Sequence, residues 1–299
     1  MSMPSVACPP GHEPGASATA VDRPDRRTLA AARLTRARAA LAACDLCPRR
    51  CGANRLAGER GFCGAVARPR VHLAQVEVGD ELELIPTFAV ALSGCNLRCV
   101  FCITGAQSWN PDAGTVVEPA ALAGQAEAAL AGGARTITIL GGEPTIHVPF
   151  LLELVAAMPP QATLVLKTNG YGRAAGRRLL DGLFDVWCVD YKFGNDACAW
   201  RLAGVPDYTA EVRASLRHAA RHAQLIVRHL LMPGHVDCCW RPVAAWLGAH
   251  LPDAKVSLKT GFWPGWQVPH CPELRQPLTP NEVARAHALA AKSALKLVA

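Results

Sequence analysis

From Leu82 onward, short apolar runs alternate with amphipathic stretches of helical length. The apolar runs fall at 87–92, 136–140, 163–166, 186–190, 225–231 and 255–258, each bounded by Gly, Pro or polar residues, and read as buried strands. Helices are predicted between them at 119–131, 149–158, 173–183, 210–222 and 241–251. A last helix, 281–295, follows Thr279-Pro280, a capping residue with proline at the first helical position. Strands that alternate with helices must run parallel, because each crossover returns over the sheet face. Six such units make an α/β fold with a partial (β/α)6 barrel, in which chemistry collects at the carboxyl ends of the strands.

The chain upstream of the barrel has a different texture. Residues 1–26 are rich in Pro, Ala and Gly and read as a disordered leader, followed by a short basic helix over 28–43. Residues 44–81 form a Cys-rich segment that is too polar to own a core, and the barrel occupies 82–299. The net charge of +7 comes from an Arg excess before residue 70 that is not interleaved with aromatics, which argues against a nucleic-acid platform. No apolar run reaches the roughly 18 residues that span a membrane, and the N-terminus lacks an apolar signal core. A cytoplasmic protein is expected.

The 13 cysteines change the picture most. Seven of them sit in two tight clusters, a pattern of metal ligation in a reducing compartment and not of disulfides. After the first strand the chain reads Ser93-Gly94-Cys95-Asn96-Leu97-Arg98-Cys99-Val100-Phe101-Cys102. Three thiolates from one loop can hold three irons of a [4Fe–4S] cube, leaving the fourth iron open, the mark of a catalytic site. A zinc site completed by a remote fourth ligand is the competing reading.

C-x3-C-x2-C with Phe101 before the last cysteine, directly after a first strand, resembles the radical S-adenosylmethionine superfamily. The resemblance continues with Gly141-Gly142-Glu143-Pro144 after the second strand and Lys167-Thr168-Asn169-Gly170 after the third. Asp190-Tyr191-Lys192 and Arg228-His229 follow the fourth and fifth. This succession is similar to the activating enzymes of pyruvate formate-lyase and other glycyl-radical enzymes, and closest to a sub-branch related to them. It implies a [4Fe–4S] cluster on Cys95, Cys99 and Cys102, with S-adenosylmethionine chelating the open iron. Reduction would then release methionine and a 5′-deoxyadenosyl radical that abstracts hydrogen from a substrate. Cofactor contacts implied by the resemblance are Phe101, Gly141, Gly142, Glu143, Pro144, Asn169, Asp190, Lys192 and Arg228. Asp190 and Lys192, two apart on a strand, could equally be a structural ion pair. The formate-lyase activators have an acid where this chain has Lys167, so a substrate is not inherited with the fold. A polypeptide such as a glycyl-radical enzyme and a small molecule both remain open, with a non-catalytic electron-transfer or redox-sensing protein as the rival class. Flavodoxin or ferredoxin is the implied electron donor.

Cys44, Cys47, Cys51 and Cys63 form C-x2-C-x3-C-x11-C, which suggests a second metal site. Zinc and a second iron–sulfur cluster both fit. Cys8, Cys188, Cys198 and Cys271 are isolated and read as ordinary. Of the rest, His235, Cys238, Cys239 and the aromatics of 262–266 read as loop packing, or as groups closing the barrel mouth.

Overall fold

Thr87–Leu92 reads Thr-Phe-Ala-Val-Ala-Leu, and in the computed structural model, which describes residues 25–79 and 81–298, all six are buried. A strand covered on both faces loses the polar alternation of a half-exposed one, the pattern of parallel strands. The sheet has eight strands, β1 (Val71–Glu77), β2 (Thr87–Leu92), β3 (Thr136–Gly141), β4 (Leu164–Thr168), β5 (Val186–Asp190), β6 (Gln224–Leu230), β7 (Lys255–Lys259) and β8 (Lys296–Val298). They lie side by side in chain order. β1 runs antiparallel to β2, and every later neighbour pair is parallel.

The helices are α1 (Arg26–Ala39), α2 (Ala106–Trp109), α3 (Pro119–Ala131), α4 (Val148–Ala157), α5 (Ala174–Arg178), α6 (Asp196–Ala203), α7 (Tyr208–His222), α8 (Arg241–His250) and α9 (Pro280–Lys292). Their apolar stripes bury one large core against the outer side of the sheet.

The six expected strands are β2 to β7. The sheet is larger than expected because β1 and β8 join its edges. Neither gave a signal: β1 is half-exposed and β8 is only three residues long. The helix expected over 173–183 stops at Arg178, with Gly182 at φ +74 in the turn that follows. α6 was not expected at all. The leader, with Cys8, lies outside the described residues except for its last two positions, where Asp25 caps α1.

Inside the barrel a second, smaller core stacks Leu84, Val165, Val186, Cys188 and Ile226. Glu81, fully buried, lies between this floor and the mouth. It accepts a hydrogen bond from Ser257 Oγ (3.0 Å) and faces Lys259 Nζ (3.4 Å), Arg228 Nε (3.6 Å) and Lys167 Nζ (3.8 Å). Burying the Glu81 carboxylate is tolerable because these partly exposed cations face it. The connection between β1 and β2 thus plugs the barrel from below and supplies a carboxylate to a lumen whose β4 position 167 is a lysine.

The Cys-rich segment shares the main core instead of standing apart. Leu41, Cys44 and Leu46 belong to the same apolar cluster as the barrel helices. Arg55 is buried and donates to the carbonyls of Ile146 (2.5 Å) and Val66 (2.8 Å).

Candidate functional site

β2 ends at Leu92 and the chain turns through Gly94 into the cysteine loop. Cys95 and Cys99 are buried and Cys102 is partly exposed. All three line a cavity of about 410 Å3 at the carboxyl ends of the strands, within the size range of small-molecule sites. Its wall also carries Phe101, Gly141, Gly142, Lys167, Asn169, Asp190, Lys192, Arg228, Lys259 and Trp263.

The glycines after β3 are required by close approach. A Cβ on Gly141 would stand 2.1 Å from the Leu92 carbonyl oxygen, and one on Gly142 would stand 2.1 Å from that of Gly94. Their backbone continues the pairing with the cysteine loop, through Gly142 N to Leu92 O (2.8 Å) and Glu143 N to Gly94 O (2.9 Å). Glu143 is fully buried. Its carboxylate accepts from Thr145 N (2.9 Å), Thr145 Oγ1 (2.6 Å), Thr168 Oγ1 (2.6 Å) and Asn169 N (2.7 Å). Four donors saturate it, so Glu143 locks the β3 turn to the β4 turn. Glu143 and Pro144, expected among the cofactor contacts, sit behind the cavity wall.

Asn169 links this frame to the thiols. Its Nδ2 donates to Asn96 Oδ1 (2.8 Å) and approaches Cys95 Sγ (3.7 Å). Leu97 N donates to Cys95 Sγ (3.4 Å), and Thr104 Oγ1 lies 3.3 Å from Cys102 Sγ. Lys192 Nζ meets Asp190 Oδ2 at 2.5 Å. The pair is therefore an ion pair, and it also faces the cavity. Burial opposes its ionisation, yet Lys192 and Arg228 hold the Asp190 carboxyl below its usual range, and Asp190 raises the Lys192 ammonium.

Burial first, and Cys99 next, push the Cys95 thiol well up; burial pushes Cys99 up to about 12 although Lys192 pulls it down. Cys95 and Cys99 are thus within electrostatic reach of one another, and both stay protonated until a cation is supplied.

Of Cys44, Cys47, Cys51 and Cys63, two approach the loop: Cys47 through Asn96, and Cys63 through its carbonyl oxygen, 3.3 Å from where a Cβ on Gly94 would stand. Asn96, next to Cys95, hydrogen-bonds the Cys47 thiol, which burial pushes up to about 12. Arg49 donates to the carbonyls of Asn96 (3.1 Å) and Gly204 (2.5 Å). Its guanidinium lies 3.7 Å above the Phe62 ring.

Ligand atoms of three or more Cys, His, Asp or Glu residues come within 4.8 Å of one another at two places among the described residues. Neither is one of these two cysteine sets. One is Asp181, His218 and His222. The other joins Cys198, His235, Cys238 and Cys239, away from the cavity. Cys198 therefore is not isolated. Its neighbours arrive from another strand connection, which sequence spacing does not reveal. Of the aromatics in 262–266, Phe262 is buried, Trp266 packs edge-on against Trp109 (5.4 Å), and Trp263 alone lines the cavity.

The sequence pattern of the radical SAM superfamily matches residues 90–247, which contain the cysteine loop and strands β3 to β6. The chain belongs to the radical SAM superfamily. Membership implies an iron–sulfur cluster and S-adenosylmethionine as cofactors, and radical chemistry that begins with cleavage of the latter. An uncharacterized protein of Methanocaldococcus jannaschii is 29% identical over 265 residues, covering 85% of this chain and 76% of that protein. The 7-carboxy-7-deazaguanine synthase of Methanothermobacter thermautotrophicus is 34% identical over 103 residues, 34% of this chain and 40% of the synthase. SuiB of Streptococcus suis, solved with S-adenosylmethionine, shares the fold at TM-score 0.50 and 12% identity. That likeness covers 66% of this chain and 44% of SuiB, so the chain spans less than half of that protein.

The residues of this radical SAM chain fit a cluster. Three thiols share one cavity wall, amide and hydroxyl donors approach two of the sulfurs, and no fourth cysteine or histidine is among the described residues of that wall. Such donors tune a cluster through its sulfurs. No helix among the described residues is long and apolar enough to cross a membrane.

Proposed function

We propose that this chain holds a [4Fe–4S] cluster on Cys95, Cys99 and Cys102 and reductively cleaves S-adenosylmethionine to abstract hydrogen from a substrate bound in the cavity. The observation that carries the reading is that the three thiols and the charged ends of β4 to β7 open into a single cavity. A cluster held by Cys95, Cys99 and Cys102 would supply the one electron that cleavage of the sulfonium to methionine and a 5′-deoxyadenosyl radical requires. The chain's own residues bind and orient. Gly141, Gly142 and Asn169 lie beside the cysteine loop, where the amino acid moiety would sit. Lys192 and Arg228 offer charge to its carboxylate, and Phe101 packs edge-on against Phe193 to shield that end (5.9 Å).

Lys167, Lys192, Arg228 and Lys259 line the cavity with Asp190, a polar wall that suits a small polar molecule. A polypeptide substrate, a glycyl-radical protein being one case, is favoured instead by the exposed Ile103 and Trp263 at the mouth.

The Cys44–Cys63 set reads as a second iron–sulfur cluster relaying electrons from a flavodoxin- or ferredoxin-like donor. A single zinc ion would draw four sulfurs to about 3.8 Å of one another, whereas these lack a compact trio and reach Cys95 through one residue, Asn96.

Anaerobic reconstitution with iron and sulfide, then dithionite and S-adenosylmethionine, should release 5′-deoxyadenosine. A cluster-loaded chain that releases none sinks the reading. Stimulation by small polar metabolites, against stimulation by a protein fraction, separates the two substrates.

A further inference from the structure

The compact cysteine–histidine group outside the cavity is built from two strand connections. Cys198 lies in the first turn of α6, after β5; His235, Cys238 and Cys239 follow β6. Cys238 Sγ lies 3.9 Å from both Cys198 Sγ and Cys239 Sγ. His235 Nδ1 lies 3.3 Å from Cys238 Sγ and 3.6 Å from Cys239 Sγ. Around an ion with bonds of about 2.3 Å to sulfur and 2.0–2.1 Å to nitrogen, a tetrahedron places its sulfurs about 3.8 Å apart and its nitrogen slightly closer. These four separations match that figure, and the remaining two lie within 4.8 Å. All three thiols are unbridged.

Several local devices exist only to make this convergence. Val236–Trp240 form a π-helical turn, with Cys239 N and Trp240 N both donating to His235 O (3.0 and 3.1 Å). His235 precedes this wide turn, and Cys238 and Cys239 lie within it. Gly194 lets the β5 connection close on it, since a Cβ there would stand 2.3 Å from Cys239 O. Asn195 ties the halves together. Its Oδ1 accepts from Cys198 N (2.8 Å), and its Nδ2 donates to Cys238 O (2.7 Å) and Cys198 Sγ (3.3 Å).

We propose that Cys198, His235, Cys238 and Cys239 bind one zinc ion as a Cys3His structural site, distinct from the radical centre. Each Zn–S bond forms as its thiol proton passes to solvent, and the neutral imidazole gives a lone pair, so no oxidant or reductant enters. With four protein ligands the site is closed, as structural zinc sites are. Its position says what it braces. The last carbonyls of α6, Leu202 O and Ala203 O, accept from Val100 N (2.9 Å) and Arg98 N (2.8 Å) of the cysteine loop. The ion would clamp the first turn of the helix whose last turn is the bed of that loop.

The test uses the full chain purified anaerobically, with cobalt(II) as the probe. The wild-type chain should contain one zinc beyond its iron, and cobalt(II) should give tetrahedral thiolate charge-transfer and d–d bands. Cys238→Ser, at an exposed position, should weaken cobalt(II) binding by more than about 100-fold, beyond the loss typical of an outer-sphere change. His235→Cys should keep binding and move the d–d bands to lower energy, toward four-sulfur coordination, which a packing role would not do. Wild-type and Cys238→Ser chains with the same zinc content and cobalt spectrum overturn the proposal. So does a Cys198–Cys238 disulfide in freshly isolated protein. None of these readings depends on radical activity.

Discussion

Two cysteine groups in one barrel solve opposite problems. Cys95, Cys99 and Cys102 come from a single loop, open into a cavity, and lack the mutual approach that one small ion demands. Cys198, His235, Cys238 and Cys239 come from two connections, close on one another within 4.8 Å and are not among the residues that line that cavity. A cube spreads its thiolates over different irons and keeps a coordination position for a ligand; a structural ion gathers its ligands and leaves none. The spacing of sulfurs therefore separates a centre that works from a centre that holds.

The largest effect should come from breaking the first group alone. Cys99→Ser should lower labile sulfide to the share held by the Cys44–Cys63 set and lower 5′-deoxyadenosine release by more than about 100-fold, since even outer-sphere losses cost 10–100-fold. Zinc content should not change. If zinc leaves together with iron, the two groups are one system and the contrast fails.

A smaller loss should follow Asn169→Ala, which deletes the donor near Cys95 Sγ and the bond to Asn96. About 10–100-fold in rate is expected, with a shift in cluster reduction potential. A rate loss at unchanged potential would make Asn169 a ligand contact only.

These two groups were not equally legible in the chain. The cysteine loop, the Gly141-Gly142 turn and strands β2 to β7 could be read because each is a local pattern: contiguous spacing, a close backbone approach, an unbroken apolar run. Glu143 was legible as important, but its role was not, because its four donors come from residues 145, 168 and 169. The clasp was illegible for the same reason: Cys198 and Cys238 are 40 residues apart and meet only when β5 and β6 pair. Glu81 reaches the lumen from a loop with no motif, and α6 is too short and mixed to show a stripe.

Breaking the clasp should cost stability more than chemistry. Cys238→Ser should lower the melting temperature by several degrees, as a loss of about 1–3 kcal/mol would in a chain of this size. Cleavage of S-adenosylmethionine should fall only a few-fold, through the bed that α6 gives the loop. Calorimetry and deoxyadenosine release check the two together. Abolished cleavage with an intact cluster would mean that the clasp does more than hold.

The smallest effect concerns acid, and it bears on the loop side of the contrast. His147 is buried, its Nε2 3.0 Å or less from Ser93 O at the root of the cysteine loop (2.9 Å) and its Nδ1 3.3 Å from Arg55. Burial, and then the Arg55 charge, push its imidazole down to about 3; burial pushes His229 down to about 4. Unfolding frees both to take protons near pH 6.5, so the unfolded chain binds more protons than the folded one between that value and the depressed ones. Stability is then full above about pH 7 and declines as pH falls toward 4, by roughly 1–2 kcal/mol per histidine at pH 5. Denaturant unfolding at pH 7 and pH 5 should show a decline in the wild type that His147→Gln reduces by one histidine's share. Equal declines in the two chains would mean that His147 is protonated in the fold, and the root of the cysteine loop would then carry a charge beside Arg55 that its buried setting does not favour.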